Sequence, residues 1–596
     1  MKWASLQPPS RSQKQYRAFK GAWTGAMGLP VLVFAMLLFA PPASAQTNSM
    51  ADRLPADTWA YFSWGGTSSL KSVSGTNSVL RLWKDPSFYT ALENSFATVS
   101  HAGGPPQKFG GLTPAETAQI FSALENPAVV GFLSAPENAR EKNHSGASFF
   151  LIYDATGKQE LIDTLRRERD AKLTEPVERS SFPIGSVTVE KRVSDGNASY
   201  EAQAGPYYIV TESAQAMEEL VPRFEAEHAP TVSFSQAADF PAECQELARP
   251  SLLNLVVLPA RLQLPQPSGS ESFDAPAFGR SLHLDRIRAG CMSMSFEKEV
   301  TRTRGVVLGD TSQGSILNVF GEGRDSFTTL ALAPASASFQ VSVIDFAALY
   351  NCLFTAVTAA LPSDKAPFVA AGVAFLSSTW GMPPDQFFAL FTGEVATIHP
   401  DNGIDPSDGL YVFTIHDPDK VLHVLQHAIP GEHVSTNQEG DVTYLTARIR
   451  VRPAEANSAA DSATYFAVTP ALLLASKQEG ALRDAVARVH AGGSAQSNAL
   501  TADADFQKAR ASLPAKLVSL WYANYAHFNW QKLFADVNTN LNNQAQQAAR
   551  NANKPAPPRI QILPGLDPAV LYRYLHVSIG GAWKDSTGIY FDSYIQ

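Results

Sequence analysis

The 596-residue chain has only three cysteines, Cys244, Cys291 and Cys352, widely separated and without a Cys-x-x-Cys pair. That spacing argues against a zinc knuckle, a dithiol redox motif or a disulfide scaffold. The three read as small buried residues, with one bridge allowed in an oxidising compartment. Charge is also sparse, at 17% of residues, and basic residues (47) are outnumbered by acidic ones (56), for a formal net charge of −9. An acidic chain repels polyphosphate backbones, which excludes nucleic acid as a partner class. Beyond residue 45 no apolar run approaches the roughly 20 residues that a spanning helix needs.

Catalytic signatures are missing too. There is no Gly-x-Ser-x-Gly elbow and no phosphate-loop Gly-Lys-Ser/Thr, and Gly321-Glu322-Gly323 lacks the third glycine and the helix of a dinucleotide loop. Ser68-Ser69-Leu70-Lys71 fits Ser-x-x-Lys, but the accompanying Lys-Thr-Gly and Ser-Asp-Asn are absent. Carboxylate pairs of the glycosidase kind leave no mark in a sequence without distances.

What is present begins with an address. Lys2, Arg11, Lys14, Arg17 and Lys20 precede an apolar stretch from Met27 to Ala40, and Ala43-Ser44-Ala45 follows as a small-residue cleavage site. This order reads as a bacterial export signal over residues 1–45, with Gln46 the expected mature N-terminus and a periplasmic or extracellular destination. An uncleaved anchor is the alternative. Cleavage removes five positive charges and no negative ones, taking the formal net charge from −9 to −14.

A second presence is repetition. Gly111-Leu112-Thr113-Pro114, Gly381-Met382-Pro383-Pro384 and Gly565-Leu566-Asp567-Pro568 each open an apolar stretch at helical spacing, followed by a run that reads as a strand. Glycine permits the turn, and proline at the first helical position loses no hydrogen bond. Thr113 and Asp567 stand where N-caps belong, whereas Pro383 cannot cap. The stripes Ile120/Phe121/Leu124, Phe387/Phe388/Phe391 and Leu571/Tyr572/Leu575 read as core faces. About 50 residues before each motif lies a Pro-Ala opening: Leu54-Pro55-Ala56-Asp57, Ala333-Pro334-Ala335-Ser336 and Leu513-Pro514-Ala515-Lys516.

Strand, helix, strand pair and helix then recur, which predicts an α+β fold of repeated units, each a mainly antiparallel sheet with helices packed on one face. The units are a first at residues 46–250, a second at 330–510 and a third, truncated one at 511–596, cut short after its second strand so that it borrows strands or forms the edge of a shared sheet. Residues 251–329 form a β-rich connection, with a hairpin over Arg288 to Leu308 and a further strand at Ser315 to Phe320. Pro265 to Pro276, Pro453 to Ala463 and Gln544 to Pro558 read as linkers.

The Leu54-Pro55-Ala56-Asp57 opening, its echoes and the Gly-x-x-Pro helices resemble the secreted bacterial proteins of the domain of unknown function 3352 family. The resemblance implies an exported α+β repeat protein and brings no catalytic residues.

Two constellations merit weighing. His416, His423, His427 and His433 form the best metal candidate, since His423 and His427 share a helical face. Val424 stands where a metalloprotease needs its glutamate, however, and the repeat aligns the two histidines with polar-face Asp163 and Arg167. Trp59, Trp64 and Trp83 could line a groove for sugars or acyl chains, but a core also needs large apolar residues. No catalytic, cofactor or metal residue is therefore assigned. The expectation is a non-enzymatic exported protein that binds an envelope protein, polysaccharide or apolar ligand in a groove between units, the alternative being a secreted hydrolase with an unrecognised site.

Overall fold

The structure, a computed structural model, describes residues 50–596 apart from 71–74, 103–118, 120, 121, 135–146, 172–176, 195, 196, 226–232, 248–251, 262–272, 313, 401–408, 430–433, 450–461, 492–498 and 552–558. The export signal, the first glycine-proline motif with Ile120 and Phe121, His433 and most of the three linkers lie outside the described residues.

Strands β1 (Thr58–Trp64), β2 (Ala128–Ser134) and β3 (Ala147–Asp154) come first. A meander follows, β4 (Glu178–Ile184), β5 (Val187–Ser194), β6 (Asn197–Ala204) and β7 (Tyr207–Thr211), then β8 (Leu253–Val257), β9 (Ile287–Phe296) and β10 (Thr301–Gly309). The C-terminal part continues with β11 (Ser338–Val343), β12 (Phe391–His399), β13 (Leu410–Ile415), β14 (Val434–Glu439), β15 (Val442–Ile449), β16 (Ser462–Val468) and β17 (Leu472–Ser476). It finishes with β18 (Ser519–Asn524), β19 (Val577–Lys584) and β20 (Gly588–Ile595).

All pairings among these strands are antiparallel, and they join into one 20-stranded sheet. From one edge to the middle the order is β4-β5-β6-β7-β3-β2-β1-β8-β9-β10. From the other edge it is β14-β15-β16-β17-β13-β12-β11-β18-β19-β20, the same order with every number raised by ten. The two runs meet where β10 pairs with β20, from Thr301 opposite Ile595 to Leu308 opposite Gly588. Gly305 sits mid-seam because the Phe591 ring lies over it: a Cβ there would fall 2.2 Å from that ring.

The α+β, antiparallel character expected from the alternation is present, but the expected separate sheets are replaced by this continuous one. The segment read as a truncated unit supplies β18 to β20, and β20 lies at the centre of the sheet and not at an edge.

The helices are α1 (Ser78–Trp83), α2 (Pro86–Ala102), α3 (Gln159–Ala171), α4 (Ala214–Glu225), α5 (Ala242–Leu247), α6 (Ala275–Ser281) and α7 (Phe346–Ala360). Then come α8 (Ala366–Trp380), α9 (Pro384–Phe388), α10 (Pro418–Ala428), α11 (Glu479–His490), α12 (Ala504–Arg510), α13 (Trp530–Asn551) and α14 (Pro568–Tyr574). They cover both faces of the sheet, which corrects the one-face expectation. Along a strand successive side chains point to opposite faces, and here both sets are apolar. Val412 and Leu474 lie in the core under α11 and α12, while Ile415 and Leu473 lie in the core under α10. Tyr61 and Cys291 likewise pack under α4 and α5, with Trp64 and Met294 opposite them under α1. A further core joins the ends of the chain, α2 packing through Phe88 and Leu92 against Trp530 and Leu571 of α13 and α14.

Two more readings change. Ser315 to Phe320 is a 3-10 turn over Ile316–Val319, because the Ser315 hydroxyl accepts from the Leu317 amide at 3.2 Å and curls the chain. Gln544 to Pro558 begins inside α13, which runs to Asn551. Cys244 and Cys291 are disulfide-bonded, tying α5 to β9, and of the three expected buried thiols only Cys352 is free.

Candidate functional site

The connection from β11 to β12 departs from the rest of the surface. Between Asp345 and Asp385 the only charged residues are Asp364 and Lys365. Asp345 caps α7, its carboxylate accepting from the Ala348 amide at 2.8 Å. Leu361 to Lys365 turn the chain, Pro367 sits in the first turn of α8, and Gly381 ends that helix in the left-handed region at φ 71°. The glycine-proline motif thus works as a junction: Gly381 stops α8 and Pro384 starts α9. In the Gly565 motif Asp567 is the N-cap, accepting from Ala569 N–H at 2.9 Å, and in the Gly381 motif Pro383 makes no such bond, as expected.

Aromatic rings fasten this segment to the sheet. Trp380 meets Phe387 (centroids 5.0 Å apart), Phe387 meets Phe391 (5.2 Å), Phe391 meets Phe413 of β13 (5.5 Å), and Tyr350 of α7 stacks on Phe388 (5.2 Å). Such pairs add about 0.5–1.5 kcal/mol each beyond area burial. The Phe387/Phe388/Phe391 stripe is therefore a packing face. Leu571 and Leu124 are packed as well, whereas Tyr572 is over a third exposed and donates its hydroxyl to the Phe528 carbonyl.

The outer side of α8 is another matter. Phe368 is 76% exposed and Phe375 69% exposed, seven residues apart and so on one helical face. Between them Ala371 and Gly372 are exposed, and nothing lies within 4 Å of where a Cβ on Gly372 would stand. The inner side, Val369, Val373 and Trp380, is apolar too. A helix apolar all round belongs in a core or in lipid, yet this one rests on the surface, against α9 and α10. The fold does not demand such a surface. In the β18 to β19 connection, α13 turns Asn543, Gln544 and Gln547 to solvent.

The histidines serve this junction. His423 and His427 lie 3.9 Å apart between ring centroids, and a Cβ on Gly381 would fall 2.7 Å from His423 Nε2, so the two rings form the seat of the α8 terminus. His416 is elsewhere, its Nδ1 3.0 Å from the Leu390 carbonyl oxygen. Among the described residues no three metal-ligating side chains gather. Nor do the three tryptophans line one groove. Trp64 is buried, donating from Nε1 to the Leu124 carbonyl at 2.7 Å, Trp59 stacks on Phe132 at 5.3 Å, and Trp83 packs with the α2, α13 and α14 core.

No family model matches the chain, and no curated protein does. Among solved structures, that titled "Structure of crystal form I of TP0453" is similar at a TM-score of 0.21 and 9% identity, over 45% of this chain and 80% of that one. Crystal form IV of TP0453 gives 0.22 and 8%, over 44% and 81%. Likeness at that level carries no argument about fold or function.

Polar candidates for chemistry are two. Under α3, Arg166, Arg179 and Arg192 interlock with Asp170, Glu190 and Glu201, and Tyr208 donates to Glu201 at 2.6 Å. Three cations answer three anions, the arrangement of a structural ion-pair network. Asp57 and Glu219 are the second. Burial pushes both carboxyls above their ordinary range, and the Asp57 charge adds to the push on Glu219. The sequence marks Asp57 only as part of the Leu54-Pro55-Ala56-Asp57 opening and does not pair it with Glu219, since their proximity depends on the packing of α4.

Proposed function

We propose that this is an exported, non-enzymatic binding protein that presents α7 and α8 to an apolar component of the cell envelope. The carrying observation is the exposure of Phe368 and Phe375 on a helix without a polar face. Full burial of such a side chain contributes about 1.5–3 kcal/mol, so two phenylalanines with Leu376 on the same helix amount to a useful affinity. The Ala43-Ser44-Ala45 cleavage site and the apolar run before it support export, and the family resemblance agrees with it.

We further infer that the chain is a duplication of one ten-stranded folding unit, residues 50–309 and 338–596, and not three copies of a smaller one. Identical strand order from both edges supports this reading. Among the described residues the exposed apolar pair lies in the second half.

The test compares the mature chain with a Phe368→Asp/Phe375→Asp variant in binding a fluorescent apolar dye. Dye binding should fall several-fold with the melting temperature unchanged, because both rings are outside the core. Undiminished dye binding would move the site elsewhere.

A further inference from the structure

Resting on that reading, we propose that the apolar partner is a lipid surface, with α7 and α8 lying in the plane of one leaflet and Phe368 and Phe375 reaching into its acyl region. The first argument is the polar inventory. A protein-binding patch carries an apolar centre and a polar, charged rim. Here both helix bodies lack charge altogether, and Asp364 with Lys365 sit together in the turn, where they cancel. Hydrocarbon demands in addition that polar groups find partners within the segment. Thr358, Ser377 and Thr379 do so, donating to the carbonyls of Phe354 (2.8 Å), Val373 (2.7 Å) and Phe375 (2.9 Å), while Asn351, Thr355 and Ser378 are exposed and take their partners from the headgroup region.

The second argument is length. Each helix has 15 residues, about 22 Å, against a hydrocarbon core of roughly 30 Å. Among the described residues no helix is long and apolar enough to cross a membrane. Such a segment lies along one leaflet and does not span, with Trp380 at its end at headgroup level.

The third is the extent of the patch. Phe273, 47% exposed, immediately precedes α6, and the Asp274 amide donates to the Ala360 carbonyl at 2.8 Å, which places that ring at the same end of the segment as the turn and Phe368. Exposed apolar side chains therefore stand on both sides of the turn that carries Asp364 and Lys365, and are not confined to one helix stripe.

A mature chain of formal charge −14 has no attraction for anionic headgroups, so attachment rests on apolar burial and is insensitive to salt.

Flotation of the mature chain with phosphatidylcholine vesicles, with and without added phosphatidylglycerol, at low and high salt, tests this. The wild type should float with both vesicle types at both salts. The Phe368→Asp/Phe375→Asp variant should lose at least about tenfold in binding while keeping its circular dichroism spectrum and melting temperature. Binding that requires phosphatidylglycerol and is abolished by salt would overturn the proposed mode. A wild type that stays unbound but sediments as a dimer, and a variant that does not, would overturn the lipid assignment and leave the apolar docking reading intact. If wild type and variant behave alike in flotation and in sedimentation, both readings fall.

Discussion

Arg302 of β10 reaches across the sheet seam to Asp592 of β20, its Nε donating to the two carboxylate oxygens at 3.0 and 3.2 Å, while Tyr594 donates to the same carboxylate at 3.0 Å. Asp592 is buried, so removing its partner leaves an uncompensated charge inside. Arg302→Met should cost about 3 kcal/mol in urea unfolding. Arg483, which makes comparable pairs with Glu439 and Glu479 on the open surface, should cost under about 1 kcal/mol when changed to Met. Equal losses would mean that the seam pair is as solvated as the surface one.

At the same scale, Gly381→Ala should destabilise by about 1–2 kcal/mol, since the position is left-handed and the added carbon meets His423. Its signature is local: thermal unfolding shifts slightly, and hydrogen exchange in α8 rises. A change confined to regions far from α8 would contradict the role given to the junction.

Among the elements, legibility followed periodicity. The Phe346–Ala360 helix and the Leu410–Ile415 strand are legible in the sequence, because each is a mainly apolar run with a clear end, Asp345 before the helix and His416 after the strand. Helix α8 is illegible in the sequence for the reason that sets it apart: with no polar face there is no 3.6-residue contrast, and Pro367 and Gly372 read as breakers. Strand β4 escaped because Pro183 and its mostly exposed side chains resemble a loop, as edge strands often do. The disulfide was unreadable from three cysteines, which offer three pairings. It closes a separation of 47 residues, which on the chain-entropy scale is worth about 4 kcal/mol. Cys244→Ser/Cys291→Ser should therefore lower stability by up to that amount, measured by chemical denaturation; an unchanged midpoint would mean that the bridge contributes nothing to the fold.

For the molecule as a whole, the decisive pairing is the least legible. β10 and β20 lie nearly 300 positions apart, and no local pattern says that they adjoin. The outcome is a sheet with both faces covered, within which several phenols are sealed. Burial first, with nearby carboxylates second, pushes Tyr153 and Tyr594 up to about 12, and burial pushes Tyr61 and Tyr522 higher still. Unfolded tyrosine ionises near 10, so the folded chain keeps protons that the unfolded chain has lost. Stability should accordingly be flat on this account below about pH 10 and fall as pH rises through 12 and beyond, with tyrosinate absorbance appearing together with unfolding. Phenols that titrate near 10 in the folded protein would contradict the burial assigned to them.

The central claim is that one surface of this large sheet protein, the outer side of α8, was left apolar for use. A polarity-sensitive dye placed at Phe375→Cys in a Cys352→Ala background, and separately at Gln544→Cys on α13, reads it directly as phosphatidylcholine vesicles are added. The account predicts a blue shift at position 375 and none at 544. Equal shifts, or a shift at 544 alone, would contradict it.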